Sequence, residues 1–218
     1  MARRRGVTRA RDVLTAELGA GSGRPPTSRM ATLLDHLIPG LWLGWAIYWS
    51  IAAFDVKRTR RRESLLSRAA HLAMLLAAAV LLGAPELPGF LGDAVWTGSK
   101  LTRDGGTLLV AAGLMFACWA RFDLGRNWSG IVALKEKHEL IVSGPYRIVR
   151  HPIYAGLLAA TVGTAIALDE WRGLIGVAVA CVAAWRKVVL EERLLGERFG
   201  VAYAVYRRKV AAVVPFLL

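Results

Sequence analysis

Apolar residues gather into five runs, 37–54, 66–84, 105–120, 153–168 and 171–188, separated by short polar or basic segments. A bilayer core is crossed by about 20 apolar residues, with a range of about 17–25, so each run approaches the length of a span. The pattern predicts an all-α integral membrane protein with about five transmembrane helices. Only Asp169 and Glu170 separate the last two runs, which must therefore form a C-terminal helical hairpin. Beyond it, Leu195, Phe199, Ala202, Tyr203 and Tyr206 share one helical face, while Arg193, Glu197, Arg198, Arg207 and Arg208 fall largely elsewhere. This predicts an amphipathic cytoplasmic helix over 193–209 that lies on the inner membrane surface or caps a pocket, with Pro215 ending the regular pattern.

The connections set an orientation. Lys57-Arg58-Thr59-Arg60-Arg61-Arg62 after the first run is a strong positive-inside signal. Counting from it puts loop 85–104 outside, loop 121–152 inside, the turn at Asp169-Glu170 outside and the C-terminal segment inside. Loop 85–104 is nearly charge-balanced and the two inside segments are rich in Arg and Lys, in agreement with that count. The same count exports residues 1–29, whose seven arginines oppose translocation. The expectation is that the first run is not a full crossing, or that the mature chain starts at Met30. Three regions follow: a flexible basic tail over 1–30, two N-terminal transmembrane helices with their loops over 31–104, and a core with the chemical motifs over 105–218. In the first run Trp42, Trp45 and Trp49 form a packing or lipid-facing stripe, Pro39-Gly40 marks a kink, and Asp35 and His36 sit at the interface.

Composition narrows the classes. The 218 residues are 55% hydrophobic with a mean hydropathy of +0.41, yet carry 29 Lys and Arg and a net charge of +13. A soluble domain of this size is not that apolar, and basic residues beside apolar spans fix orientation and meet anionic headgroups rather than nucleic acid. Cys118 and Cys181 lie inside predicted spans without CxxC spacing. His138 and His151, with no cysteine partner nearby, do not make a metal site. The Arg-rich start lacks the apolar stretch of a signal peptide. Val13 to Gly23 imitates the glycine-rich nucleotide loop of soluble methyltransferases, but Pro25-Pro26 and a membrane span follow it where a helix and parallel sheet are needed.

The chemistry concentrates at one level of the hairpin. Counting back from the turn reaches Pro152 and counting forward as far reaches Val188, so His151 and Glu191 leave the membrane within about one helical turn of each other. Pro152 suits the first position of a helix. That helix start, strengthened by Arg150 and His151, is a seat for an anion such as an amino-acid carboxylate. Glu191 and Glu192 offer the opposite charge, suited to an ammonium group, ribose hydroxyls or the field around a sulfonium. With Tyr146 and Tyr154 as neighbouring aromatics, the set matches the needs of S-adenosylmethionine. The alternative is that Arg150, Arg186, Lys187 and the two glutamates are interfacial anchors neutralising one another.

A series of motifs runs in order through this region: Arg121 to Ser129 (RFDLGRNWS), His138-Glu139-Leu140, Gly144 to Gly156 (GPYRIVRHPIYAG), Glu191-Glu192, Phe199-Gly200, Tyr203, Tyr206 and Pro215-Phe216. On these residues the chain resembles the isoprenylcysteine carboxyl methyltransferase family, including its bacterial relatives and the related phospholipid methyltransferases. The resemblance covers about residues 105–218, and residues 1–104 share only hydropathy with it. It implies an S-adenosylmethionine-dependent membrane methyltransferase that binds its cofactor through His138, Tyr146, Arg150, His151, Pro152, Tyr154, Glu191 and Glu192, with Arg150 and Glu192 in catalytic roles. The implied partners are membrane lipid and a lipophilic or prenylated acceptor, and the implied place is the bacterial inner membrane with the cofactor site facing the cytoplasm. The favoured acceptor is the carboxylate of a prenylated cysteine or an isoprenoid acid, with a small thiol or a lipid amine as the alternative. Readings of another class are a sterol-type NADPH-dependent membrane reductase and a non-enzymatic membrane protein.

Overall fold

The computed structural model of the chain describes residues 29–53, 59–62, 64–125, 133–135 and 140–215. The tail with its glycine-rich stretch, residues 126–129, His138 and Phe216 lie outside the described residues. Among them are five helices: α1 (Arg29–Ala52), α2 (Leu65–Gly83), α3 (Lys100–Leu124), α4 (Pro152–Leu168) and α5 (Trp171–Lys209). By length and composition α2, α3 and α5 can each cross a membrane, and α4 is a shorter apolar helix. The protein is an all-α integral membrane protein, as its hydropathy predicts. Leu66, Leu108 and Phe122 are between 71% and 82% exposed, a pattern that fits contact with lipid.

Three differences from the sequence expectation have physical causes. Helix α1 starts well before residue 37, because Arg29 to His36 contain no helix breaker, and Pro39 sits inside it. Helix α3 begins at Lys100 rather than 105, set by a capping box in which Thr102 N–H donates to Ser99 Oγ at 3.1 Å and Ser99 N–H to Thr102 Oγ1 at 2.9 Å. The expected amphipathic helix over 193–209 does not begin at 193: within α5 the helix from Trp171 runs on past Glu191 and Glu192 to Gly200, whose backbone is non-helical (φ 50°, ψ −120°), and a second helical stretch follows to Lys209. The hydropathy change at Glu191 marks a change of surroundings, not a chain break. A short antiparallel pair was also not anticipated: β1 (Thr59–Arg62) pairs with β2 (Ala133–Lys135) in the register Arg61↔Leu134.

Helices α3 and α4 pack backbone to backbone. A Cβ on Gly113 would stand 2.5 Å from the Gly156 carbonyl oxygen, and one on Gly106 would stand 2.6 Å from that of Gly163. Where lipid tails are as apolar as leucine, such small-residue contacts supply the van der Waals packing that hydrophobicity cannot. Val110, Leu114 and Ala160 form the buried core beside this seam, with Ile38, Leu41, Trp42, Trp45 and Leu157 packed on it.

Polar ties close each end. At one, α4 stops at Asp169, which takes a left-handed conformation, and its Oδ1 accepts from Trp96 N–H at 2.9 Å. Buried Arg172 bonds Glu170 Oε2 at 2.5 Å and donates to the Ala84 carbonyl after α2. At the other end, buried Arg121 donates to the Gly125 carbonyl at 2.8 Å and to the Ala52 carbonyl that closes α1. Loops 85–104 and 169–170 therefore share one end, and β1–β2 joins the other two connections, in accord with the charge-based alternation.

Candidate active site

The 3-10 turn Gly144–Arg147 delivers the chain to α4. Gly144 has φ +53°, and a Cβ there would collide with the Asp123 carboxylate, so only glycine lets this turn sit against the end of α3. Tyr146 is buried, its hydroxyl reaching the Ala120 carbonyl at 3.4 Å while its own carbonyl accepts from Tyr206 at 2.6 Å. Pro152 occupies the first helical position after His151, and the first backbone bond of α4 runs from Ala155 N–H to the His151 carbonyl at 3.0 Å. The N–H groups of Ile153 and Tyr154 thus precede the ladder, at the positive end of the helix dipole.

Glu192 is where the predicted motifs converge. Its Oε1 lies 2.8 Å from His151 Nε2, 3.0 Å from Arg150 Nε and 2.6 Å from the Tyr203 hydroxyl. Its Oε2 is buried without a hydrogen bond and faces Arg207 Nε at 3.5 Å. Glu191 takes the other side of the imidazole, with Oε2 3.4 Å from His151 Nδ1, and its Oε1 accepts from Tyr154 at 2.7 Å. Arg150, His151, Tyr154, Glu191 and Glu192 are thus brought together. Arg150 Nη1 is committed to the Arg207 and Val210 carbonyls.

Sequence reasoning missed who holds this cluster. Tyr203 and Arg207 reach Glu192 because α5 bends at Gly200, and the segment after α5 runs beside residues 149–151, with Arg150 N–H donating to Ala211 at 2.8 Å and His151 N–H to Ala212 at 2.9 Å. The recurrence of Tyr203 and Tyr206 on the apolar face was the available signal for the first of these. No pattern in the sequence marks the second.

The acidic pair lies past the apolar run 171–188, and His151 precedes the apolar helix α4, so the cluster sits outside the apolar spans. Burial alone would push the His151 imidazole down, but hydrogen bonds to Glu191 and Glu192 overrule it and hold its pKa above the ordinary value. Both ring nitrogens face carboxylates, an arrangement that only the imidazolium satisfies. For Glu192, burial pushes up, yet the bonds from His151, Tyr203 and Arg150 prevail and bring it down to about 2. Burial and the adjacent carboxylate raise the Tyr203 hydroxyl, which stays a proton donor.

An apolar cavity of about 540 Å³ opens beside the cluster, walled by α1, α2, α4 and α5, with Trp42, Trp45, His71, Tyr154 and Thr161 in its lining. Tyr154 belongs to both, facing the cavity and bonding Glu191. Among the described residues no group of His, Cys, Asp and Glu has the arrangement of a metal site.

The phospholipid methyltransferase family profile matches residues 101–202. Protein-S-isoprenylcysteine O-methyltransferase B of Arabidopsis thaliana is 30% identical over 175 residues, covering 77% of this chain and 84% of that protein. Its A counterpart is 32% identical over 118 residues, 51% of this chain and 58% of that protein. The Saccharomyces cerevisiae protein-S-isoprenylcysteine O-methyltransferase is 30% identical over 125 residues, 55% of this chain and 51% of that protein. The chain thus spans a little over half the length of two of these relatives and most of the third. An alignment of 175 residues also exceeds 105–218, so the likeness extends into the first helices, beyond hydropathy alone. An ordered motif series, a charge cluster at the start of α4 and these relatives agree: the chain belongs to the isoprenylcysteine carboxyl methyltransferase family of membrane methyltransferases.

Proposed function

We propose that the protein transfers a methyl group from S-adenosylmethionine to the carboxylate of a lipophilic acceptor, a prenylated cysteine or an isoprenoid acid, at the cytoplasmic face of its membrane. The observation that carries this reading is Tyr154, which joins the apolar cavity to the charged cluster and so puts a lipid-sized space next to a polar binding set. The residues fit the donor. Glu192 Oε2, buried and without a hydrogen bond although paired in charge with Arg207 at 3.5 Å, keeps acceptor capacity for the ammonium of its amino-acid part. The N–H groups of Ile153 and Tyr154, with His151 as imidazolium, suit its carboxylate. His138 is proposed as a further cofactor contact on the family resemblance. When bound, the cofactor supplies an electrophilic methyl group on a sulfonium.

Transfer is an in-line displacement, so the chain's part is alignment and exclusion of water. A carboxylate acceptor needs no base. Arg150, spent on Glu192 and two carbonyls, acts as a positioning residue that fixes the carboxylate and ties the segment after α5 to the site. The cavity supports an acceptor with a long apolar chain over a small free thiol, because its lining is mostly aliphatic and aromatic.

A labelled-methyl assay with farnesylcysteine, a small thiol and a lipid amine decides among acceptors. The expected product is alkali-labile, as a methyl ester is, and forms with farnesylcysteine. Methylation of only the amine or thiol would replace the acceptor assignment. Binding of NADPH without binding of S-adenosylhomocysteine would favour a reductase instead.

A further inference from the structure

The indole of Trp45, in the cavity wall, is a buried donor whose partner is not found among the described residues. Four other polar side chains of the wall are spent: Trp42 Nε1 donates to Thr164 Oγ1 at 3.1 Å, Thr164 to the Ala160 carbonyl at 2.9 Å, Thr161 to the Leu157 carbonyl at 2.8 Å, and Tyr154 to Glu191. The indole N–H of Trp45 lines the same space, is buried, and makes no hydrogen bond among the described residues. A buried indole N–H ordinarily finds an acceptor, and at membrane depth water does not supply one. Nor is the ring free to look elsewhere. It stands 5.7 Å from Trp42 edge-on and 5.0 Å from Trp49, and it packs on the core of Val110, Leu114 and Ala160.

Position tells which part of a bound molecule this donor would meet. Trp45 is seven residues from Ala52, where α1 is tied to Arg121, which is about 10 Å of helical rise. Tyr154, which touches the charged cluster, lies in the first turn of α4. The donor therefore faces the chain of the acceptor, not its reacting end. It also lies outside residues 101–202, the part matched to the phospholipid methyltransferase profile.

We infer that Trp45 is a specificity-determining residue, and that its Nε1–H pairs with a carbonyl oxygen carried along the apolar chain of the methyl acceptor. The inference rests on the methyltransferase reading of the site. The preferred acceptor is then an oxygenated isoprenoid or acyl chain ending in a carboxylate, and a plain hydrocarbon chain leaves the donor unpaired.

The test compares farnesylcysteine with keto analogues in which the carbonyl is moved along the prenyl chain. Binding to the full chain in nanodiscs with S-adenosylhomocysteine is measured by calorimetry, and methyl transfer is followed in parallel. One neutral hydrogen bond is expected to give about 2–10-fold tighter binding at a single chain position. Trp45→Phe, which keeps a ring and removes the N–H, should erase that preference and leave the parent compound within about twofold. A preference that survives Trp45→Phe, or an equal loss for both compounds, overturns the inference. A flat positional profile in the unaltered protein overturns it too, and needs no variant that folds. Binding preference without methyl transfer would sink the catalytic reading and leave this one standing.

Discussion

At Glu192 a single carboxylate oxygen takes three donors, two of them cationic, and this sets the cost of disturbing it. Side-chain exposure is 8% for Arg150, 3% for His151 and 13% for Glu192. Removing one member of such a buried pair costs about 3–5 kcal/mol, because the remaining charges stay behind without compensation. Glu192→Gln should therefore lower thermal stability in detergent as well as affinity for S-adenosylhomocysteine. A variant that lost affinity with no loss of stability would mean the cluster is looser than drawn. Tyr203→Phe removes one donor to a charged acceptor and should cost about 1.5–3 kcal/mol while leaving the His151–Glu192 contact in place. Linkage adds a pH signature. The folded His151 pKa is raised above 6.5, so its contribution is complete below pH 6.5 and is lost as pH rises through the folded value. Glu192, brought from 4.5 to about 2, contributes fully above about pH 4.5 and less as pH falls towards 2. Thermal unfolding should be most resistant between those limits, and His151→Gln should remove most of the alkaline decline. At this scale the sequence names Arg150, His151, Glu191 and Glu192 through helix counting. It cannot name Tyr203 as a Glu192 partner, because residues eleven apart share a face of a straight helix but stand about 16 Å apart along it, and only the bend at Gly200 brings them together.

Helix identity was legible because hydropathy decides it, and helix ends were less so because caps and bends are local. The runs at 66–84 and 153–168 match α2 and α4 within a residue or so, where Ser64 and His151-Pro152 set clear starts. The end of the fifth run misled, since polarity at Glu191 changes what surrounds α5 and not its backbone. Gly200 is the position that matters there. Its φ and ψ are closed to residues with a Cβ, so Gly200→Ala should cost about 1–3 kcal/mol or straighten the helix. A straightened α5 carries Tyr203 and Arg207 away from Glu192. The expected outcome is unchanged helical content by circular dichroism with much weaker binding of S-adenosylhomocysteine. The α3–α4 seam should respond differently. Gly113→Leu drives a side chain into the Gly156 backbone and should cost about 1–3 kcal/mol or more. That loss should appear as lower yield and melting temperature, whereas Gly40, with open space around it, should accept alanine freely.

On the scale of the whole molecule, two polar ends separated by an apolar middle make the cluster accessible from one side only. The ties at Asp169, Trp96 and Arg172 belong to one end, and the Arg150–Glu192 cluster, Arg121 and the basic β1 strand belong to the other. The tendency of basic residues to stay on the cytoplasmic side is the basis for proposing that the cluster faces the cytoplasm, where the proposed cofactor S-adenosylmethionine would reach it while the acceptor arrives through lipid. Single-cysteine labelling tests this directly, once Cys118 and Cys181 are replaced. Exposed Arg147 and Arg208 flank the cluster, and exposed Asp93 sits at the far end. In right-side-out membranes a membrane-impermeant maleimide should label Asp93→Cys at once and label Arg147→Cys and Arg208→Cys only after permeabilisation, with inverted vesicles giving the reverse. Labelling of 93 and 208 from the same side would break the alternation that both the charge pattern and the end-to-end ties require. Equal labelling of 147 and 208 from the far side would keep the site together but turn it away from its cofactor. The two failures separate the architecture from the direction in which it faces.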